Sequence, residues 1–330
     1  MTNALPAFEL RRPQSVADAA ALLAEHPAAR LVAGGTDLIP NLRRGIEAPP
    51  LLVDVSALPG FDEIGIEGGS LTLGAGVTLA RLAAAPDIAR SHPVLAEAAA
   101  AVAGPGHRTV ATIGGNLCLD TRCVYYNQSA WWRAANGYCL KRGGDTCHVA
   151  PQGRRCHAAF SGDLAPALLV LDAEVELVST RGTRRLALAE LYRDDGADPL
   201  TLRPGELLTR VHVAAAPKRS GYRKARVRGA MDFPLAGVAC ALELEGGAIA
   251  ALKIALTGTD SNPFVLAGCD DFVGATVGDE LLARLAKLVQ KQVGPMRSTL
   301  TASNYRRQVA AALAQRLLRD LAGAAAPARA

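Results

Sequence analysis

Five of the chain's seven cysteines fall between residues 118 and 156, and four of them make the run Cys123-x15-Cys139-x7-Cys147-x8-Cys156. Thiols gathered in this way have three common uses: disulfides, a zinc site or an iron–sulfur cluster. An odd cysteine count fits pairing poorly. The N-terminus, MTNALPAFELRRPQS, has neither the basic nor the apolar region of a secretory signal, so a cytoplasmic, thiol-reducing setting is expected. Zinc modules usually pair their ligands as C-x2–4-C, which these spacings do not, and the bacterial ferredoxin run is absent too. The pattern alone favours iron–sulfur over zinc and leaves both open.

Around these cysteines stand side chains with plain and special readings. Cys118 reads as a small buried apolar residue, and Cys240 and Cys269 as inert core thiols. His148 and His157 each follow a candidate ligand and are expected to hydrogen-bond a sulfur or face solvent rather than ligate. Tyr125, Tyr126, Trp131 and Trp132 are expected to pack over the segment and keep water away from it. Arg142, Arg154 and Arg155 offer positive charge beside a negative cluster, or a solvated face.

Two glycine pairs make the second group of chemical residues: Ala33-Gly34-Gly35-Thr36-Asp37 and Thr112-Ile113-Gly114-Gly115-Asn116. Glycine permits positive φ and lets a ligand approach backbone N–H groups without a Cβ in the way. Successive free amides cradle anionic oxygens. Neither loop is G-x-G-x-x-G or a P-loop, so each taken singly is an ordinary tight turn. Two such loops in one region point towards a dinucleotide.

The elements that must position these groups fall into three regions: 1–55, 56–215 with the cysteine-rich insert at about 118–160, and 216–330. In the first, Ser15 with Asp18 predicts a helix start ahead of VADAAALLAEH, followed by short strands at 30–33 and 51–56 around a helical turn in LIPNLRRG. In the second, LTLGAG and AEVELVS alternate as strands do, while TLARLAAAPDIAR and PVLAEAAAAVAG read as helices. The third, after the turn-rich AAAPKRSG, predicts a hairpin about Gly246-Gly247, then helices DELLARLAKLVQKQ and NYRRQVAAALAQRLLRDLAG and a frayed tail, GAAAPARA. The chain has 330 residues, half of them apolar, and a formal net charge of +5. Nothing in it suggests nucleic-acid binding, and the longest nearly uncharged stretch is too short for a membrane span.

LVAGGTDLIPNLRRG, TVATIGGN and SGDLAPALLVLDAEVELV, in that order and spacing, resemble the FAD-binding subunits of molybdenum hydroxylases, the xanthine dehydrogenase and carbon monoxide dehydrogenase group. YRKARVRGAMDFPLAGVAC resembles the start of that family's C-terminal domain, so the likeness spans nearly the whole chain. The resemblance implies an α+β protein. Its FAD-binding fold is of the vanillyl-alcohol-oxidase-like (PCMH) type in two subdomains, joined to a C-terminal domain with an antiparallel sheet and helices. It implies that Leu31, Val32, Ala33, Gly34, Gly35, Thr36, Asp37 and Leu38 wrap the FAD pyrophosphate. Ala111, Thr112, Gly115 and Asn116 would form the second loop, Asp163 would hydrogen-bond the cofactor, and Lys224 would lie by the flavin ring. Leu208, on a strand, is carried over as a further cofactor contact.

One departure stands out. In ordinary members TIGGN runs within a few residues into the stretch matching Ser161-Gly162-Asp163-Leu164; here roughly forty extra residues intervene and hold all four cysteines of the run. The wording CVYYNQSAWW and GDTCHV resembles the flavoprotein subunit of the branch that reductively dehydroxylates 4-hydroxybenzoyl-CoA. That likeness implies a [4Fe–4S] cluster on Cys123, Cys139, Cys147 and Cys156. It also implies ferredoxin as electron donor, a molybdopterin-binding large subunit and a [2Fe–2S] small subunit as partners, and a dimer of heterotrimers. No catalytic residue is expected here, because the active site would lie on a partner.

Overall fold

A computed structural model describes residues 4–214, 219–294, 296, 301, 302 and 304–323. Part of the AAAPKRSG turn and all of the predicted tail after Gly323 lie outside the described residues.

The chain begins as a small parallel sheet. Strands β1 (Glu9–Arg11), β2 (Arg30–Val32) and β3 (Leu51–Asp54) pair in the order β1-β3-β2. Helix α1 (Val16–Glu25) starts where the sequence signals it, with Ser15 Oγ accepting from the Asp18 amide at 3.0 Å. The short helix α2 (Leu38–Arg43) follows the first glycine loop. Strand β1 was not expected from the sequence: three exposed residues carry no alternation that would announce it.

The middle unit is an antiparallel sheet of β4 (Ile64–Glu67), β5 (Ser70–Gly74), β6 (Glu174–Ser179), β7 (Gly182–Ala187) and β8 (Leu207–Val213), in the order β4-β5-β8-β6-β7. TLARLAAAPDIAR is not one helix but two, α3 (Leu79–Ala84) and α4 (Pro86–Ser91). Pro86 forces the break. Ala85 before it sits at φ −74°, ψ 113°, the extended backbone that a following proline ring demands. Next come α5 (Pro93–Ala101), α6 (Pro105–Arg108) and α7 (Ile113–Leu117), the last opening on the second glycine loop. The insert holds little regular structure: α8 (Ala130–Ala135) and one 3-10 turn, Leu140–Arg142. Its ends are pinned by an isolated antiparallel bridge, Arg122 to Ala159. After it, α9 (Leu164–Leu169) is buried at every position.

The C-terminal unit carries β9 (Arg219–Ala225), β10 (Ala236–Glu245), β11 (Ala248–Thr257) and β12 (Phe264–Val265), ordered β12-β11-β10-β9, with α10 (Asp279–Gln292) and α11 (Tyr305–Gly323) on one face. The predicted hairpin is present, turning on Gly246 and Gly247 at φ 59° and 86°. Strand alternation divides β10 between two cores. Val238, Cys240 and Leu242 pack with Leu285, Leu317 and Leu318 of the helices, while Ala239 and Ala241 join the core shared by the first two units. Small alanines on that second face let the sheet lie close against α9.

The closest fit in this sheet is at Gly237, where an added Cβ would stand 2.2 Å from the Tyr222 hydroxyl and 2.8 Å from Thr257 Cγ2. Gly237→Ala is therefore expected to destabilise the fold by about 1–3 kcal/mol through overpacking. Chemical denaturation of the full chain measures this.

Candidate functional site: two glycine loops, a buried ion pair and a cysteine insert

The two glycine loops abut. A Cβ built on Gly34 would meet the Val110 carbonyl oxygen at 2.0 Å and the Ala111 nitrogen at 2.9 Å, so the backbones touch where only glycine fits. Gly35 beside it has φ 65°, in the left-handed region. Among the described residues, the amides of Gly34, Gly35, Thr36 and Asp37 have no hydrogen-bond partner. Residues 31–39 are all half-buried. Four successive free N–H groups in a half-buried turn form a cradle suited to phosphate oxygens.

The second loop is braced from within. Thr112 caps α7, its Oγ1 accepting from the Gly115 amide at 3.1 Å. Asn116 reaches across the base of the insert, its Oδ1 accepting from the Leu164 amide at 3.0 Å. That contact sets the start of α9, and with it Asp163.

Asp163 and Lys224 form a buried ion pair, Nζ to Oδ2 2.9 Å, with side chains 3% and 4% exposed. The Tyr222 hydroxyl donates to the other carboxylate oxygen at 2.5 Å, and Lys224 also donates to the Ala101 carbonyl at 3.1 Å. Burial raises the Asp163 carboxyl; the Lys224 ammonium and the Tyr222 hydroxyl pull it back. Burial and the neighbouring carboxylate push Tyr222 well up. Leu208, by contrast, is buried in β8 opposite Leu177, inside the sheet.

In the insert one pair of thiols is bonded, Cys147 with Cys156. The Cys156 thiol donates to Cys147; that bond and the amides of His157, Ala150 and Val149 hold Cys147 below its ordinary value, while the same bond and burial hold Cys156 above its own. Cys123 is raised, first by burial, and further by Cys139 and Cys147 close by. Amides reach the sulfurs at 3.3 Å (Tyr126 to Cys123) and 3.4 Å (His157 to Cys147, Ala158 to Cys156). All four thiols are free. Among the described residues, no three His, Cys, Asp or Glu side chains are arranged to hold a metal ion. Cys118 is desolvated and pushed up to about 12 and Cys269 to about 11, as inert thiols are.

The aromatic side chains follow expectation except at Trp131. Trp131 is 63% exposed and shields nothing, because it lies on the outer face of a helix of only six residues. Tyr125 stacks near Trp132 and His148 at centroid distances of 6.4 and 5.4 Å, beside Cys139. The His148 ring bonds the Tyr138 carbonyl rather than a sulfur. Tyr126 is buried and ringed by four cations within 6 Å: Arg122, Arg133, Lys141 and Arg142. Arg142 bonds the Ile46 carbonyl and, at 2.9 Å, the Tyr126 hydroxyl. Arg155 pairs with Asp194 at 2.6 Å. Sequence reasoning missed Tyr222, Arg122, Arg133 and Lys141. Only the adjacency of Arg122 to Cys123 could have drawn attention to one of them.

Two family models account for the chain: "FAD binding domain in molybdopterin dehydrogenase" over residues 6–216 and "CO dehydrogenase flavoprotein C-terminal domain" over 220–321. The chain belongs to the FAD-binding subunits of the molybdenum hydroxylase family. It is 34% identical over 279 residues to the aldehyde oxidoreductase FAD-binding subunit PaoB of Escherichia coli K12, covering 81% of this chain and 86% of that one. It is 28% identical over 313 residues to the carbon monoxide dehydrogenase medium chain of Afipia carboxidovorans, covering 94% of each. Among solved structures, reconstituted CO dehydrogenase from Oligotropha carboxidovorans superposes with a TM-score of 0.80 at 26% identity, over 98% of this chain and 100% of that one. Quinoline 2-oxidoreductase from Pseudomonas putida 86 gives 0.78 at 25% identity, over 97% and 98%.

This flavoprotein subunit thus has the fold that the resemblance implied, with FAD as its cofactor. No helix among the described residues is long and apolar enough to cross a membrane.

The Asp163–Lys224 pair joins the flavin-binding region to the C-terminal sheet. Removing one member leaves a buried charge alone, so Lys224→Ala is expected to cost about 3–5 kcal/mol. The double variant Asp163→Asn/Lys224→Met should recover part of that loss. Urea denaturation of the two variants beside the parent checks both expectations.

Proposed function

We propose that this chain is the flavin and iron–sulfur subunit, the β-subunit, of a 4-hydroxybenzoyl-CoA reductase. Leu31 to Leu38, with the free amides of Gly34 to Asp37, would hold the FAD diphosphate, and Ala111, Thr112, Gly115 and Asn116 would form the second wall of the site. Asp163 would hydrogen-bond the cofactor and Lys224 would stand near the flavin ring, whereas Leu208 lies inside the sheet, away from such a role. The observation that supports the finer reading is the insert between the second loop and Asp163, in which Cys147 and Cys156 bond each other, Cys123 lies near Cys139 and Cys147, and backbone amides donate to Cys123, Cys147 and Cys156. Four thiols complete a cubane, one per iron, and amide-to-sulfur bonds are a recognised means of setting its potential. A zinc ion would need its ligands closed into one tetrahedron.

When bound, the cluster and the flavin supply one-electron and one- or two-electron transfer respectively. By this reading ferredoxin would be the electron donor, and the cluster on the insert cysteines and the FAD on the two loops would supply electron transfer towards a [2Fe–2S] small subunit and a molybdopterin-binding large subunit. There two electrons and two protons convert 4-hydroxybenzoyl-CoA to benzoyl-CoA and water, a reaction suited to anaerobic aromatic breakdown. The chain's own residues orient and shield: the paired loops fix the dinucleotide, the buried Asp163–Lys224–Tyr222 group holds the flavin region against the C-terminal sheet, and Tyr125 and Trp132 cover Cys139. The complex is a dimer of heterotrimers in the cytoplasm.

A second reading is favoured by the names of the relatives, which are oxidising enzymes, at up to 34% identity. In it the chain serves a hydroxylase and the insert answers to a different electron acceptor.

Anaerobically purified full chain is expected to contain iron and acid-labile sulfide in equal amounts with broad brown absorption, and Cys139→Ser to lose both while keeping its flavin spectrum. Zinc without sulfide would replace the cluster by a structural staple. The complex with its partner subunits should reduce 4-hydroxybenzoyl-CoA with reduced ferredoxin; hydroxylation of an aldehyde or a heterocycle instead would establish the second reading.

A further inference from the structure

The insert reaches the first glycine loop through Arg122. Arg122, immediately before Cys123, is 9% exposed, and its Nε and Nη2 have no hydrogen-bond partner. Nη1 makes a long bond of 3.4 Å to Asn127 Oδ1. Nη2 stands 3.6 Å from Asp37 Oδ2 and 3.9 Å from Asp120 Oδ2, within range of charge but beyond a hydrogen bond. The bridge to Ala159 fixes its backbone, and the Tyr126 ring, 5.3 Å from the guanidinium, fixes its plane.

Asp37 ends the run of free amides. Its Oδ2 is held by Asn41 Nδ2 at 2.8 Å. Burial, Asp120 and Glu47 all disfavour its charge, and Arg122 is the group that favours it most. A carboxylate here is a liability for a protein that must bring a diphosphate to the neighbouring N–H groups. Like charges repel, and a partly buried site screens that repulsion less than open solvent does.

We propose that Arg122 is a positioning residue that neutralises Asp37, so that the cysteine insert sets the affinity of the first glycine loop for the dinucleotide's diphosphate without touching the flavin. The inference rests on the placement of FAD across the two loops. It assigns Arg122 a role through Asp37, since its Nε and Nη2 are buried. It also gives the insert a task independent of any metal.

Calorimetry on the full chain freed of flavin tests this, with ADP as the probe that carries the diphosphate and adenosine as the probe that lacks it. Arg122→Gln should raise the Kd for ADP on the order of tenfold and leave adenosine unchanged. Arg122→Lys should restore much of the ADP affinity, and Arg122→Gln/Asp37→Asn should restore it as well, because the uncompensated carboxylate has gone. Unchanged ADP binding, an equal loss for both probes, or failure of Asp37→Asn to rescue would each overturn the proposal. Gly34→Ala separates this from the underlying reading: if that variant keeps full ADP and FAD affinity, the diphosphate is not on this loop at all. Loss in Gly34→Ala with no effect in Arg122→Gln would sink the role of Arg122 alone.

Discussion

The contact between Gly34 and the Val110 carbonyl is the constraint on which the flavin region turns. No side chain of any size fits there, since a single Cβ would stand 2.0 Å from the oxygen. The contact brings the turn after β2 against the segment leading into α7, and two stretches nearly eighty residues apart become one surface. The unpaired amides of the first loop then share that surface with the capped start of α7. Neither loop alone offers enough donors for a dinucleotide.

A second junction ties this surface to the rest of the molecule. Asp163, at the start of an entirely buried helix, draws Tyr222 and Lys224 from β9 of the C-terminal sheet. Buried ion pairs seldom add net stability compared with apolar packing, but they permit few arrangements. Here the pair fixes which face of the sheet meets the flavin region. The alanines of β10 allow that face to come close, and its larger apolar residues go to the helices behind it.

The insert is held more by charge than by apolar packing. Its small cluster contains Cys147, Val149, Ala159 and Met296 among buried residues, whereas Tyr126 gathers four cations and Lys141 bonds Asp120, Thr121 and Gly196. Such a segment has few contacts that survive loss of its polar partners. A prosthetic crosslink between its cysteines would supply what the apolar content lacks, and the basic side chains beside Cys123 and Cys139 would lower the cost of that group's negative charge.

Much of this was legible in the chain itself. Ser15 with Asp18 announced α1, the Gly246-Gly247 pair announced the hairpin, and the period of DELLARLAKLVQKQ announced α10, because capping, turn and amphipathic signals act over a few residues. The glycine loops and the cysteine run were visible for the same reason. The sequence could not show that Gly34 meets Val110, that Tyr222 and Lys224 converge on Asp163, or that Arg122 faces Asp37 across eighty-five positions. Those depend on which distant segments the folded chain brings together. Strand β1 has no pattern of its own, and Trp131 turned outward because the insert's path, not its composition, decides what its aromatics cover. Residue type fixed the available chemistry; only close packing at glycine, and the few places where buried charge can be matched, determined which groups met.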